Sequence, residues 1–262
     1  MTETLLETIE DGVATLTMNR PASLNAMTGD MMEAMLAAMT RLAGDPAARV
    51  IVLTGAGRGF CAGGDVKAMN RNIGELSIEA HAQPLRQRME IARMLHEIAK
   101  PTIAMVRGPA AGAGMSLALV CDLRIASETA RFTTAFARVG LSGDFGGSYF
   151  LTRLVGTAKA RELYLLSDTV PADQALALGM VNRVVADDAL LSETMAIAKR
   201  LAAGPAITLG YMKKNLNAAE TGSLVQVLDM EAAHHARCAT TEDHKEAARA
   251  FVEKRPPVFV GR

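Results

Sequence analysis

Twice in its first half this chain runs from a short, wholly apolar stretch into a turn of small residues. Residues 50–53 lead into Gly55-Ala56-Gly57-Arg58-Gly59-Phe60-Cys61-Ala62-Gly63-Gly64-Asp65, and residues 102–106 lead into Gly108-Pro109-Ala110-Ala111-Gly112-Ala113-Gly114. A short apolar run bounded by glycine reads as a strand covered on both faces, the habit of parallel sheets. Parallel strands need crossover helices between them. Residues 28–42 carry Met31, Met35, Ala38, Met39 and Leu42 at helical spacing and stop before Gly44-Asp45-Pro46. One long helix is predicted over 78–99, ended by Pro101, then a short apolar helix over 115–119 and a third strand over 122–126. Ahead of all this, residues 5–18 alternate around Asp11-Gly12, a hairpin signal.

Beyond Ser148 the pattern is mostly helical, over 149–154, 158–166, 172–178, 189–203, 207–219, 224–236 and 242–252, with an extended segment at 180–185. The expectation is an α/β core over residues 1–195 and a helical C-terminal region over 196–262.

Composition narrows the function. Lys+Arg and Asp+Glu are 28 each, so the net charge is zero, and aromatics are 4% with no tryptophan. That argues against a broad electrostatic grip on nucleic acid or membrane, and against stacking platforms for single strands. The three cysteines, Cys61, Cys121 and Cys238, have neither disulfide nor zinc spacing. His81, His96, His234, His235 and His244 show no metal pattern either, so no metal is expected. No signal peptide and no membrane-length apolar run is evident, which predicts a cytoplasmic protein. The sixteen methionines read as core filler in a chain poor in aromatics.

A glycine-rich turn after a parallel strand exposes backbone N–H groups at the carboxyl end of the sheet, where ligands bind. The helix that starts near Gly114 adds the positive end of its dipole. Taken singly, each turn is equally compatible with tight packing and no ligand. Gly57 to Ala62 fits G-x-G-x-x-A, but it does not follow the first strand and lacks an acidic residue placed for a ribose. Two such turns on successive crossovers would lie side by side, and two convergent N–H groups make an oxyanion hole.

The chain resembles the crotonase (enoyl-CoA hydratase/isomerase) superfamily. The resemblance rests on Arg20-Pro21 through Leu24-Asn25-Ala26-Met27, on Phe60-Cys61-Ala62-Gly63-Gly64-Asp65-Val66-Lys67, and on Gly112–Gly114 with Cys121-Asp122-Leu123-Arg124-Ile125-Ala126. Leu154-Val155-Gly156 and Ala175-Leu176-Ala177-Leu178-Gly179-Met180-Val181 extend it over essentially the whole chain. It implies an α/β spiral of β-β-α units with a helical trimerisation region, homotrimers or hexamers made of two trimers, acyl-CoA substrates, and no cofactor beyond the coenzyme A of the substrate. It also implies that the N–H groups of Gly64 and Ala113 hold the thioester oxygen. Arg20, Ser23, Ala62, Gly64, Asp65, Val66 and Lys67 would face the CoA, and Gly112, Ser116, Phe136 and Phe145 the acyl group. Lys254-Arg255 resembles a segment that reaches a neighbouring subunit's CoA; an exposed charged end is the other reading.

The resemblance also identifies a departure. Hydratases of this family carry two glutamates around the double bond, and Ser116 and Phe136 stand at those positions here. A different acid, Asp144, lies in Gly143-Asp144-Phe145-Gly146-Gly147 before a helix. It could cap that helix. Aspartates at this place also serve ring- and alkene-isomerising relatives, such as the epoxyphenylacetyl-CoA isomerase group, and the chlorobenzoyl-CoA dehalogenases. One carboxylate suffices to move a proton between two carbons, whereas hydration must also activate water. The prediction is therefore an enoyl-CoA isomerase with Asp144 as acid/base. The alternatives are a hydratase with an atypical water site, an aryl-CoA dehalogenase, or a non-catalytic scaffold or RNA binder. Cys61 has no base nearby in sequence and is not expected to act as a nucleophile.

Overall fold

The computed structural model describes residues 3–66 and 77–262. Strands β1 (Leu5–Glu10) and β2 (Val13–Met18) form the expected antiparallel hairpin, with Asp11 and Gly12 both at positive φ. A primed turn needs that pair of angles, because its twist matches that of the strands. From β2 the sheet continues in parallel through β3 (Val50–Gly55), β4 (Thr102–Val106), β6 (Leu123–Ser127) and β9 (Arg183–Val185). A second, smaller sheet joins β5 (Pro109–Ala111), β7 (Arg131–Thr133) and β8 (Val170–Pro171). These strands have two or three residues each, too few for a periodic signal, and their pairing is long-range. The segment read as a plain small-residue turn at 108–114 thus contains a strand.

Side chains alternate across the main sheet. Ile51, Leu53, Ala104 and Val106 face one core, with the buried face of α1 (Gly29–Gly44): Met31, Met35, Ala38, Met39 and Leu42. Val50, Val52, Ile103 and Ile125 face the other, covered by Leu190, Ile197, Ala198 and Ala202 of α7 (Leu190–Ala202). Residue 195, the expected division of the chain, lies inside this helix. Thr194 sits on the same helix with its hydroxyl buried and without a hydrogen-bond partner. Thr194→Val keeps the shape and removes the unpaired group. It should stabilise the fold by about 1 kcal/mol and raise the thermal midpoint by roughly 2–4 °C; an unchanged or lower midpoint would count against it.

The long helix predicted over 78–99 is two helices, α2 (Ile78–Arg88) and α3 (Glu90–Glu97). Pro84 lies inside α2, which buries nothing, whereas α3 buries Ile91, Ala92 and Leu95. The chain tightens at Met89, whose N–H is shared by the carbonyls of Leu85 and Gln87, so that only the second segment meets the core. Helix α4 (Ala113–Val120) is buried all round. Helix α5 (Gly147–Leu166) breaks at Gly156 (φ 77°), between the two predicted segments. Then come α6 (Ala172–Ala177), α8 (Ala206–Ala219), α9 (Leu224–Ala239) and α10 (Glu242–Glu253). Among the described residues no helix is long and apolar enough to cross a membrane.

Candidate active site

The two glycine-rich turns leave neighbouring parallel strands at the same end, and backbone bonds join them. The Phe60 and Cys61 N–H groups donate to the Pro109 carbonyl at 3.0 and 3.1 Å, and the Ala111 N–H donates to the Cys61 carbonyl at 2.9 Å. Buried Asn25 shapes the first turn from within. Its Nδ2 donates to the carbonyls of Ala56 (2.9 Å) and Gly59 (2.7 Å), and its Oδ1 accepts from the Arg20 N–H at 2.9 Å. A Cβ on Gly114 would lie 2.3 Å from the Cys61 carbonyl oxygen, so only glycine lets the turns touch.

This packing frees two donors. The bridge between Met27 and the first turn uses the Gly63 carbonyl and the Asp65 N–H. In a parallel bridge the residue between those groups points its own N–H the other way; here that residue is Gly64. Ala113 opens α4, and the first N–H groups of a helix have no intrahelical partner. A Cβ on Gly63 would be 3.6 Å from the Ala113 nitrogen, which places the two turns against each other at this point. Ala113 is helical; the positive angle falls on Gly112 (φ 51°, ψ −125°). A side chain at 113 therefore brings no strain.

Asp144 occupies a turn between a short 3-10 segment, Phe136–Val139, and α5. Gly143, Phe145 and Gly146 all have positive φ. The helix cap is Gly146, and the Asp144 side chain makes no capping bond. Its Oδ1 is buried with no hydrogen-bond partner. Burial without compensation disfavours the charged form, and the carboxyl titrates at about 6. Cys61 and Tyr164 are both pushed up to about 12, chiefly by their own burial and further by the Asp144 charge. Cys61 is thus a buried thiol that stays protonated, in line with its exclusion as a nucleophile.

A narrow crevice is lined by Gly112, Met115, Ser116, Leu119, Thr134, Phe136, Gly147 and Tyr164; Asp144 does not line it, and meets it through Tyr164, which feels the Asp144 charge. The crevice brings together Gly112, Ser116 and Phe136 of the expected acyl-facing set. Ser116 Oγ donates to the Gly112 carbonyl at 3.3 Å. Phe145 is among the most deeply buried rings of the core and does not line this crevice. Its positive φ (46°) goes with an inward turn of the side chain that the sequence does not display. Tyr164 is a site residue that sequence reasoning misses; its only signal is the pair of glycines, 143 and 147, that make room for a ring.

Of the expected CoA-facing residues, Arg20 pairs with Asp65 (Nη2–Oδ2 3.0 Å) and also donates to the Ala26 carbonyl. Arg20 and Ser23 line an open groove of about 430 Å³ with Thr4, Asn19, Pro21 and Ala22. The Ala62 N–H donates to the Leu24 carbonyl at 2.9 Å, and Val66 is exposed. Lys67 lies outside the described residues. Arg255 is engaged within its own chain by Glu246 and Glu253. A further cavity of about 420 Å³, near Arg49, Lys100, Lys214 and Arg237, contains none of the expected site residues. Among the described residues no three His, Cys, Asp or Glu side chains gather as metal ligands would.

The chain matches the family model for enoyl-CoA hydratase/isomerase over residues 8–262. It is 38% identical to the 1,2-epoxyphenylacetyl-CoA isomerase of Escherichia coli (strain K12), over 100% of both chains. It is 34% identical to the crotonyl-CoA hydratase of Syntrophomonas wolfei, over 97% of this chain and 96% of that one. A solved enoyl-CoA hydratase from Polaromonas sp. JS666 superposes with a TM-score of 0.92 at 34% identity, covering 97% of this chain and 99% of that one. The crotonase-like α/β fold read from the motifs is thus the fold of the chain. Most of the relatives are named hydratases, with the isomerase among them, so the names supply the family and leave the choice of reaction to the residues of the site. This chain belongs to the enoyl-CoA hydratase/isomerase family of acyl-CoA enzymes.

Proposed function

We propose that this enzyme shifts a double bond within an enoyl-CoA, with Asp144 as the single acid/base. The observation that carries the reading is the buried, unpartnered Oδ1 of Asp144 beside the two joined turns. The α-proton of a thioester is too weakly acidic for a carboxylate in water. The N–H groups of Gly64 and Ala113 would stabilise the negative charge that develops on the thioester oxygen. In such holes one donor contributes roughly 3–4 kcal/mol at the transition state. Burial makes Asp144 a stronger base than an exposed aspartate, yet leaves it mostly ionised at neutral pH. It removes a proton from one carbon, giving a dienolate, and returns it to another. No oxidation state changes, so the step calls for no electron carrier and no cofactor beyond the coenzyme A of the substrate.

Arg20, Ser23, Ala62, Asp65, Val66 and Lys67 would hold the CoA portion, with Gly112, Ser116 and Phe136 against the acyl group. Exposed Leu224, Val225 and Leu228 on α9, and Phe251 and Val252 on α10, support association as a homotrimer or a pair of trimers. The unpaired cysteines support a reducing, cytoplasmic setting.

The test offers a 3-enoyl-CoA in D₂O and follows conjugation by absorbance and deuterium uptake by mass. Conjugation with deuterium uptake is expected. Consumption of crotonyl-CoA by water addition without isomerisation would make the enzyme a hydratase. Halide release from a halobenzoyl-CoA would make it a dehalogenase, and failure to bind any acyl-CoA would leave a scaffold. Because the base must be ionised, kcat/KM should rise with pH through an inflection near 6 and level off above it. A flat profile between pH 5 and 8 would remove Asp144 as the base.

A further inference from the structure

We propose that Tyr164 is the positioning residue for Asp144: its ring is the post around which the Asp144 turn is wound, and its hydroxyl is the donor the carboxylate takes up when charged. The inference rests on Asp144 being the acid/base.

Tyr164 projects from α5 between the two ends of the turn. A Cβ on Gly143 would lie 3.2 Å from the ring's Cε1 and 3.5 Å from its hydroxyl. A Cβ on Gly147 would lie 2.5 Å from the same hydroxyl and 2.3 Å from Ser116 Oγ. Residues 143 and 147 bracket Asp144, and at both the missing side chain is the space the tyrosine fills. Phe136 stacks on the ring with centroids 6.0 Å apart and planes 12° from parallel. The ring is therefore gripped by the turn and by the stacked phenyl.

The neighbouring hydroxyls and the thiol are already engaged. Thr134 donates to the Leu163 carbonyl at 2.9 Å and meets Ser167 Oγ at 3.1 Å. Ser116 donates to the Gly112 carbonyl, and the Cys61 thiol to the Asn25 carbonyl at 3.2 Å. Among the described residues the half-buried Tyr164 makes no side-chain hydrogen bond, and Asp144 Oδ1 is buried without a partner. Among the described residues, Cys61, from the first turn, and Tyr164, from α5, are titratable groups that the Asp144 charge pushes up. Both stay neutral through the working range, so the tyrosine acts as a dipole. A donor that bonds the anion more strongly than the acid favours ionisation and fixes the direction of the carboxylate.

The variant is Tyr164→Phe, which keeps the ring and its stacking. The Asp144 carboxyl is followed in substrate-free protein by ¹³C NMR of labelled aspartate, with Asp144→Asn identifying the signal. The midpoint should move up the pH scale by about 0.5–1, and the acid limb of the isomerisation profile should move with it. The value of kcat should fall about tenfold while KM changes less than about threefold. Gly147→Ala, whose methyl displaces the same hydroxyl, should shift the midpoint in the same direction, and it carries the test if Tyr164→Phe folds poorly. An unmoved midpoint in the folded variant overturns the proposal. The titration needs no turnover, so a shifted midpoint in an enzyme whose Asp144→Asn form remains active would uphold the tyrosine's role and remove Asp144 from catalysis.

Discussion

Asp144→Asn is expected to reduce exchange of substrate protons with solvent by about 10³-fold or more, since it removes the one proposed base. Affinity for a CoA thioester should change little, because the CoA portion is held elsewhere. The same substitution should make the protein more stable. The folded carboxyl titrates at about 6 and the ordinary one at 3.8, so the folded state holds this proton more tightly. Its contribution to stability is full below about pH 4 and is lost as pH rises through 6. At neutral pH the native state therefore carries a buried charge it would shed if it could. The rise from 3.8 to about 6 corresponds to about 3 kcal/mol at most; partial access to solvent and the unpaired amide of the replacement reduce the gain to about 1–2 kcal/mol. Calorimetry at neutral pH and near pH 4 checks both signs, with the variant's advantage vanishing in acid. Near-wild-type proton exchange would remove Asp144 from the mechanism, and a lower melting temperature at neutral pH would contradict the buried-charge account.

Gly114→Ala should be among the most damaging single methyls in the site. Its Cβ would lie 2.3 Å from the Cys61 carbonyl oxygen, 2.6 Å from Cys61 Cβ and 2.8 Å from its sulfur. That carbonyl is already tied to the Ala111 N–H, so the first turn has no free direction in which to yield. Overpacking of this kind costs about 1–3 kcal/mol. The two donors are held by contact between the turns. Forcing the turns apart should therefore lower kcat/KM of the folded fraction by about 10²-fold, close to the loss of one oxyanion donor. Ala113→Gly makes a useful comparison. The residue is helical and its Cβ unstrained, so activity should stay within about threefold, with a stability loss near 1 kcal/mol. Steady-state kinetics with thermal unfolding separate the two effects. Full activity in folded Gly114→Ala would mean that the donors do not depend on contact between the turns.

Local pattern carried a large part of this protein. The buried face of α1, the hairpin at Asp11-Gly12 and the parallel strands were legible because each is written in periodicity or in a turn pair a few residues long. The two glycine-rich turns were legible because only small residues permit such backbone approach, and Asp144 because Ser116 and Phe136 carry no acid.

Other features depend on partners far away in the chain. The buried Lys213 ammonium docks α8 on the sheet through Asp122 (2.8 Å) and the carbonyls of Leu95 (2.8 Å) and Lys100 (3.2 Å), and nothing near Lys213 in sequence announces it. The second sheet is built from fragments of two or three residues. Tyr164 reads as one more helical residue until the fold wraps a turn around it. Asp144 before a helix reads as a cap, yet Gly146 takes that place.

Spacing of apolar and small residues determined, from the sequence alone, the strands, the crossovers and the two exposed-backbone turns, because those are properties of the chain's own geometry. Only the tertiary structure decided that Asp144 Oδ1 is buried and unpartnered and that a tyrosine stands behind the turn. Desolvation depends on everything that packs around a group, and no local window contains that information.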